Sequence, residues 1–115
     1  MNVAAILFAV AAVTGIAIAF IRLSGRDLPP MGLALLHGLF AASGLVALAI
    51  AAVAPGAAQW ARISLGIFVV AALGGFVLFS FHLRRRALPV PIIGIHGFVA
   101  VIAFVVLLVA IFGRA

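Results

Sequence analysis

Four long apolar runs, separated by short breaks rich in Arg, Pro and Gly, account for nearly the whole chain. The first extends from about residue 2 to 21 and stops at Arg22. The second, residues 31–53, opens after Pro29-Pro30 and is closed by Ala54-Pro55-Gly56, where Pro cannot continue a helical ladder and Gly takes dihedrals other residues avoid. The third, residues 60–82, is entered through Gln59, Trp60 and Arg62 and ends before Arg84-Arg85-Arg86; the fourth, residues 92–112, follows Pro89 and Pro91. Each run is long enough to cross a hydrocarbon core of about 30 Å as a helix. None shows the period-two alternation of a membrane β-strand. Short connections join antiparallel neighbours. The pattern therefore predicts an all-α, integral membrane four-helix up-down bundle, a single transmembrane domain over residues 1–115. A signal peptide is a weaker reading of the first run, which lacks a basic leading region.

The halves repeat. At an offset of 60, Gly15 matches Gly75, Leu23 matches Leu83, Arg26 matches Arg86, and Leu28-Pro29 matches Leu88-Pro89; one deletion then aligns His37-Gly38 with His96-Gly97. The stretches L-P-P-M-G-L-A-L-L-H-G and L-P-V-P-I-I-G-I-H-G are two versions of one sentence. A duplicated two-span unit keeps its orientation, so repeat one (residues 1–54) and repeat two (residues 60–115) are expected to be parallel, related by an axis along the membrane normal. The second and fourth spans then run the same way, with their histidines at one depth. That depth is about six residues past the helix start, or roughly 9 Å.

Composition agrees: 70% of residues are hydrophobic and 7% charged, too few charges to coat a soluble domain. The lipid bilayer is the expected solvent. The seven basic residues are all arginines, set against one Asp, and they lie at the ends of apolar runs, where topology rather than nucleic acid explains them. Arg22, Arg26, Arg84, Arg85 and Arg86 mark one side; Arg62 and Arg114 mark the other. This places loops 22–30 and 83–91 in the cytoplasm and both termini outside, in a bacterial inner membrane. The absence of cysteine excludes disulfides and thiolate metal sites. No carboxylate lies within a span, which argues against carboxylate-coupled transport; Asp27 stands alone in a loop, so no Ser-His-Asp set can form; without Lys there is no phosphate-binding P-loop.

The histidines carry the remaining chemistry. Polar groups inside a span are functional candidates, and two imidazoles at one depth can supply both axial ligands of a haem b iron. Small residues follow each, Ala41 and Gly44 after His37 and Ala100 and Ala103 after His96, leaving room for a flat group between helices. Arg84, Arg85 and Arg86, with Arg22 or Arg26, are candidate partners for the propionates. His82 is expected to be interfacial and solvated, with a hydrogen bond to a propionate or quinone carbonyl, or a proton path, as its functional alternative. Phe40 and Phe98 are candidates for a porphyrin edge. The competing reading is that His37 and His96 only bond between helices and His-Gly marks close packing.

With these residues placed, the chain resembles small four-helix membrane-embedded b-type cytochromes, through L-P-x(7 or 6)-H-G twice. The resemblance implies haem b, electron transfer, and partners such as quinone or a larger respiratory or photosynthetic complex. It implies an electron carrier or subunit rather than a stand-alone enzyme. Many such proteins hold two haems with four histidines; three are present here, so the expectation is one haem near one face, between the second and fourth spans. The alternative is a cofactor-free accessory or structural subunit, with a small transporter or channel third. A homo-oligomer is compatible with either.

Overall fold

The computed structural model describes residues 1–113; Arg114, counted above for orientation, lies outside the described residues. Four helices follow in order: α1 (Asn2–Leu23), α2 (Met31–Val53), α3 (Gln59–Leu83) and α4 (Val90–Phe112). Each is long and apolar enough to cross a membrane, and no strand occurs among the described residues. The four-helix membrane bundle is as the apolar pattern predicts. Helix α4 starts two residues earlier than expected, at Val90, because Pro91 is tolerated in a first turn, where its missing N–H would have no intrahelical acceptor.

The loops close by backbone geometry, since no helix has a side-chain N-cap bond. At the end of α1 the Arg26 N–H donates to the Ile21 carbonyl across Gly25, whose φ is 107°. At the end of α3 the Arg86 N–H donates to the Phe81 carbonyl across Arg85, with φ 53°. The two turns are the same 6→1 closure. One uses the residue type such a turn favours; the other does not.

In the bundle α1 packs against α2 and α4, and α3 against the same two, which leaves α1/α3 and α2/α4 as the diagonal pairs. The core is layered accordingly. In one layer the α1/α3 diagonal is filled by Phe8 and Phe68, stacked with centroids 3.7 Å apart and planes within 3°. Gly44 on α2 gives Phe8 its space: a Cβ there would stand 3.1 Å from the ring. Its counterpart Ala103 on α4 is fully buried in the same cluster as Phe68. In the other layer the roles exchange. The rings are His37 on α2 and His96 on α4, and the small residues are Gly15 on α1 and Gly75 on α3. Alternating large and small side chains between diagonals lets four helices close around flat rings without voids.

Residues matched between the two halves of the sequence take equivalent parts in the packing. Gly15 and Gly75 play one part, Phe8 and Phe68 another, and Leu48 and Leu107 are both fully buried. Most other apolar side chains face outward, among them Ile16, Phe20, Ile50, Leu73, Phe76 and Phe98, as lipid-facing positions should.

Candidate functional site

His37 and His96 are each the seventh residue of their helices, so the expected equality of depth holds. Both are half-buried and bonded to a neighbouring helix. The Nδ1 of His37 lies 2.7 Å from the Ala11 carbonyl oxygen on α1, and the Nδ1 of His96 lies 2.7 Å from the Ala71 carbonyl oxygen on α3. A carbonyl can only accept, so Nδ1 carries the proton in both rings and a neutral imidazole keeps its lone pair on Nε2. Ala11 and Ala71 are themselves repeat partners. The rings, centroids 6.2 Å apart, stand nearly perpendicular at 83°.

Glycine makes these bonds reachable. A Cβ on Gly15 would stand 2.9 Å from Cε1 of His37, and one on Gly75 would stand 3.2 Å from Cε1 of His96. Both glycines admit the ring edge beside Nε2. The symmetry breaks one residue earlier. Thr14 on α1 brings its hydroxyl to 3.3 Å from Nδ1 of His37, whereas Gly74 occupies the matching place beside His96.

A bare metal ion would find too few donors here, because no group of three or more His, Cys, Asp or Glu side chains comes together among the described residues. A metal carried in a macrocycle brings its own in-plane donors and needs only two from the protein. An Nδ1–H donated to a backbone carbonyl is also the usual support of a ligating histidine. The pair of imidazole donors suits such a group, while the recesses at Gly15 and Gly75 are taken up by the imidazole edges themselves.

In comparisons with protein-family models, curated proteins and solved structures, nothing matches this chain.

The remaining predicted residues divide. Ala41 and Ala100 are half-buried one turn from the histidines. Gly44 and Ala103, expected to leave room for a ligand, are instead packed into the aromatic layer of Phe8 and Phe68. Phe98 is 68% exposed and faces outward, and Phe40 is half-buried. Arg84, Arg85 and Arg86 are exposed, and Arg84 folds back on its own helix, with its guanidinium carbon 4.7 Å above the Phe81 ring and Nε 3.2 Å from the Ser80 carbonyl. Arg22 is committed elsewhere, its Nε donating to the Leu88 carbonyl at 2.9 Å, and Arg26 Nε donates to the Leu28 carbonyl.

His82 corrects an expectation. Rather than solvated, it is 6% exposed, and its Nε2–H donates to the Pro29 carbonyl at 2.8 Å. The reason lies in the repeat. Arg22 at the end of α1 bonds a carbonyl at the start of α4, and its counterpart His82 at the end of α3 bonds a carbonyl at the start of α2. The Leu88 N–H further donates to the Asp27 carbonyl at 3.2 Å, stitching the first and third loops together. His82 is one of two matching latches at the arginine-rich end.

The sequence pointed to His37 and His96 but missed their acceptors. Ala11 and Ala71 act through backbone oxygens, which no side-chain motif reveals, although their shared offset of 60 was available to find them. Thr14 was likewise overlooked, its one-hydroxyl difference from Gly74 hidden inside an apolar run.

Proposed function

We propose that the chain is a membrane haem b protein acting in electron transfer, with His37 and His96 as the axial ligands of one haem between α2 and α4. The observation that carries the reading is the pair itself. Two imidazoles at one depth, 6.2 Å apart, each have Nδ1–H fixed to a backbone carbonyl and Nε2 left as the donor. Bound there, a haem would supply a one-electron couple inside the bilayer. The protein's part is orientation and exclusion of water. Ala11 and Ala71 set the tautomer and aim of each ring, Gly15 and Gly75 admit the ring edges, and the Phe8–Phe68 stack closes the core toward the far end. One site near one end suits a relay or subunit that passes electrons to or from a quinone or a larger respiratory or photosynthetic complex. The arginine excess supports a cytoplasmic position for that end, in keeping with a bacterial inner membrane.

The test is optical. Protein purified in detergent after expression with haem available should show a Soret band and, when reduced, the sharp bands of a six-coordinate low-spin haem b. His37→Ala and His96→Ala should each abolish the low-spin spectrum. Retention of an unchanged low-spin spectrum by His96→Ala would refute the ligand assignment, and a colourless wild-type protein that takes up no added haem would refute the reading.

A second reading, a cofactor-free accessory subunit, is favoured by one observation: the same Nδ1 bonds tie α2 to α1 and α4 to α3 whether or not anything else is held. On that reading the histidine variants lose stability and no colour.

A further inference from the structure

We infer that the arginine-rich end is an anionic-phospholipid site built from two loops, with Arg85 as its added element. Arg26, Arg84, Arg85 and Arg86 are all exposed, and the Leu88 N–H to Asp27 carbonyl bond holds the loops that carry them side by side. The one acid in the chain, Asp27, stands 3.9 Å from Arg22, and it leaves these four guanidinium groups uncompensated. They sit at the ends of helices of membrane-spanning length, where the phosphates of a bilayer would lie.

Arg85 gives the patch its specificity. In the first copy of the repeat this turn position is Gly25, φ 107°; in the second it is Arg85, φ 53°, in the left-handed region that favours glycine. The turn is otherwise the same, with the same 6→1 bond. An arginine at a glycine position works against the fold, and strain of this kind collects where a side chain has a use. Neither guanidinium bonding nor burial explains it, because the Arg85 side chain is exposed and makes no hydrogen bond among the described residues. What it adds is positive charge in the headgroup plane, between Arg84 and Arg86. The occupant is a diacyl lipid with an anionic phosphate headgroup rather than a soluble phosphate, because the surface below the patch is apolar, with Leu23, Leu83 and Phe20 exposed on the adjoining turns.

Arg85→Gly separates this reading from a structural one. The full chain in detergent would be titrated with phosphatidylglycerol, phosphatidylcholine or sn-glycerol 3-phosphate, with binding followed by native mass spectrometry and the unfolding midpoint measured in parallel. Wild type should bind phosphatidylglycerol in preference to phosphatidylcholine. Arg85→Gly should bind phosphatidylglycerol about fivefold more weakly, the effect of one basic residue near an anionic surface, while its lipid-free midpoint rises by a few degrees as the turn relaxes. Equal binding of the two lipids by wild type, undiminished phosphatidylglycerol affinity in Arg85→Gly, or displacement of the lipid by equimolar sn-glycerol 3-phosphate would each overturn the inference.

Discussion

Replacing Gly15 by Ala should damage the bundle more than the equivalent change at Gly75, although the two glycines are repeat partners on the same helical face. Carbon atoms settle at about 3.5 Å or more. The new methyl at position 15 would begin 2.9 Å from Cε1 of His37, and the one at position 75 would begin 3.2 Å from Cε1 of His96. Relief therefore takes about 0.6 Å of separation in the first case and about 0.3 Å in the second. The ring cannot retreat freely, because its Nδ1 is held at 2.7 Å by a carbonyl on the very helix that pushes it away. If the separation is added in full to that bond, the Ala11 contact stretches to about 3.3 Å, beyond good N–H···O range, whereas the Ala71 contact reaches about 3.0 Å and survives. Overpacking of this kind costs about 1–3 kcal/mol. Removing a mid-helix glycine returns about 1 kcal/mol. Gly15→Ala should thus lose about 1–2 kcal/mol and Gly75→Ala should fall near zero. Gly94→Ala, where a Cβ meets nothing within 4 Å, should be neutral or stabilising. Reversible unfolding in mixed micelles would measure all three, and ¹⁵N chemical shifts of the imidazoles would report the Nδ1 bonds. A Gly15→Ala protein as stable as Gly75→Ala, or one whose His37 Nδ1 shift matches wild type, would refute this account of how the rings are held.

Two further perturbations probe the layers around that site. Truncating either stacked ring, Phe8→Ala or Phe68→Ala, should cost about 3–5 kcal/mol, the lost contacts of the ring plus the cavity it leaves. Because the rings share one contact, the double variant in the same unfolding assay should cost less than the sum. His82→Ala leaves the Pro29 carbonyl without its donor and should cost about 1–3 kcal/mol; it should also speed hydrogen exchange in the first and third loops while leaving any haem spectrum intact. A spectral change in that variant would move His82 from latch to ligand environment.

The spans and their order were legible because each apolar run exceeds the membrane thickness, and lipid forces a chain of this kind to satisfy its backbone within helices. The histidine pair was legible because the L-P…H-G pattern occurs twice. What the sequence hid is who faces whom. Gly44 and Ala103 read as room beside the histidines, since residues one and two turns on share a helix face, but the space above a glycine belongs to whichever neighbour reaches it first. Phe8 and Phe68 reach it from the other diagonal. His82 misled for a related reason: next to three arginines it reads as solvated, and only the packing of α3 against the start of α2 brings the Pro29 carbonyl within its reach.

The equivalent packing of the two halves also leaves room for them to differ. Two copies packed about one axis meet at their own equivalent residues, so rings that cross a diagonal must be tolerated by themselves: Phe8 against Phe68, His37 near His96. Positions on that axis must suit a copy of themselves. Positions off the axis are under no such constraint and can differ between the halves. Thr14 against Gly74, Arg22 against His82 and Gly25 against Arg85 are all of this second kind. A symmetric pair in the centre with differing residues around it distinguishes the two imidazoles by their surroundings alone. Exchanging Thr14 and Gly74 between the copies should therefore transfer the difference in environment from one histidine to the other, without moving either ring from its carbonyl.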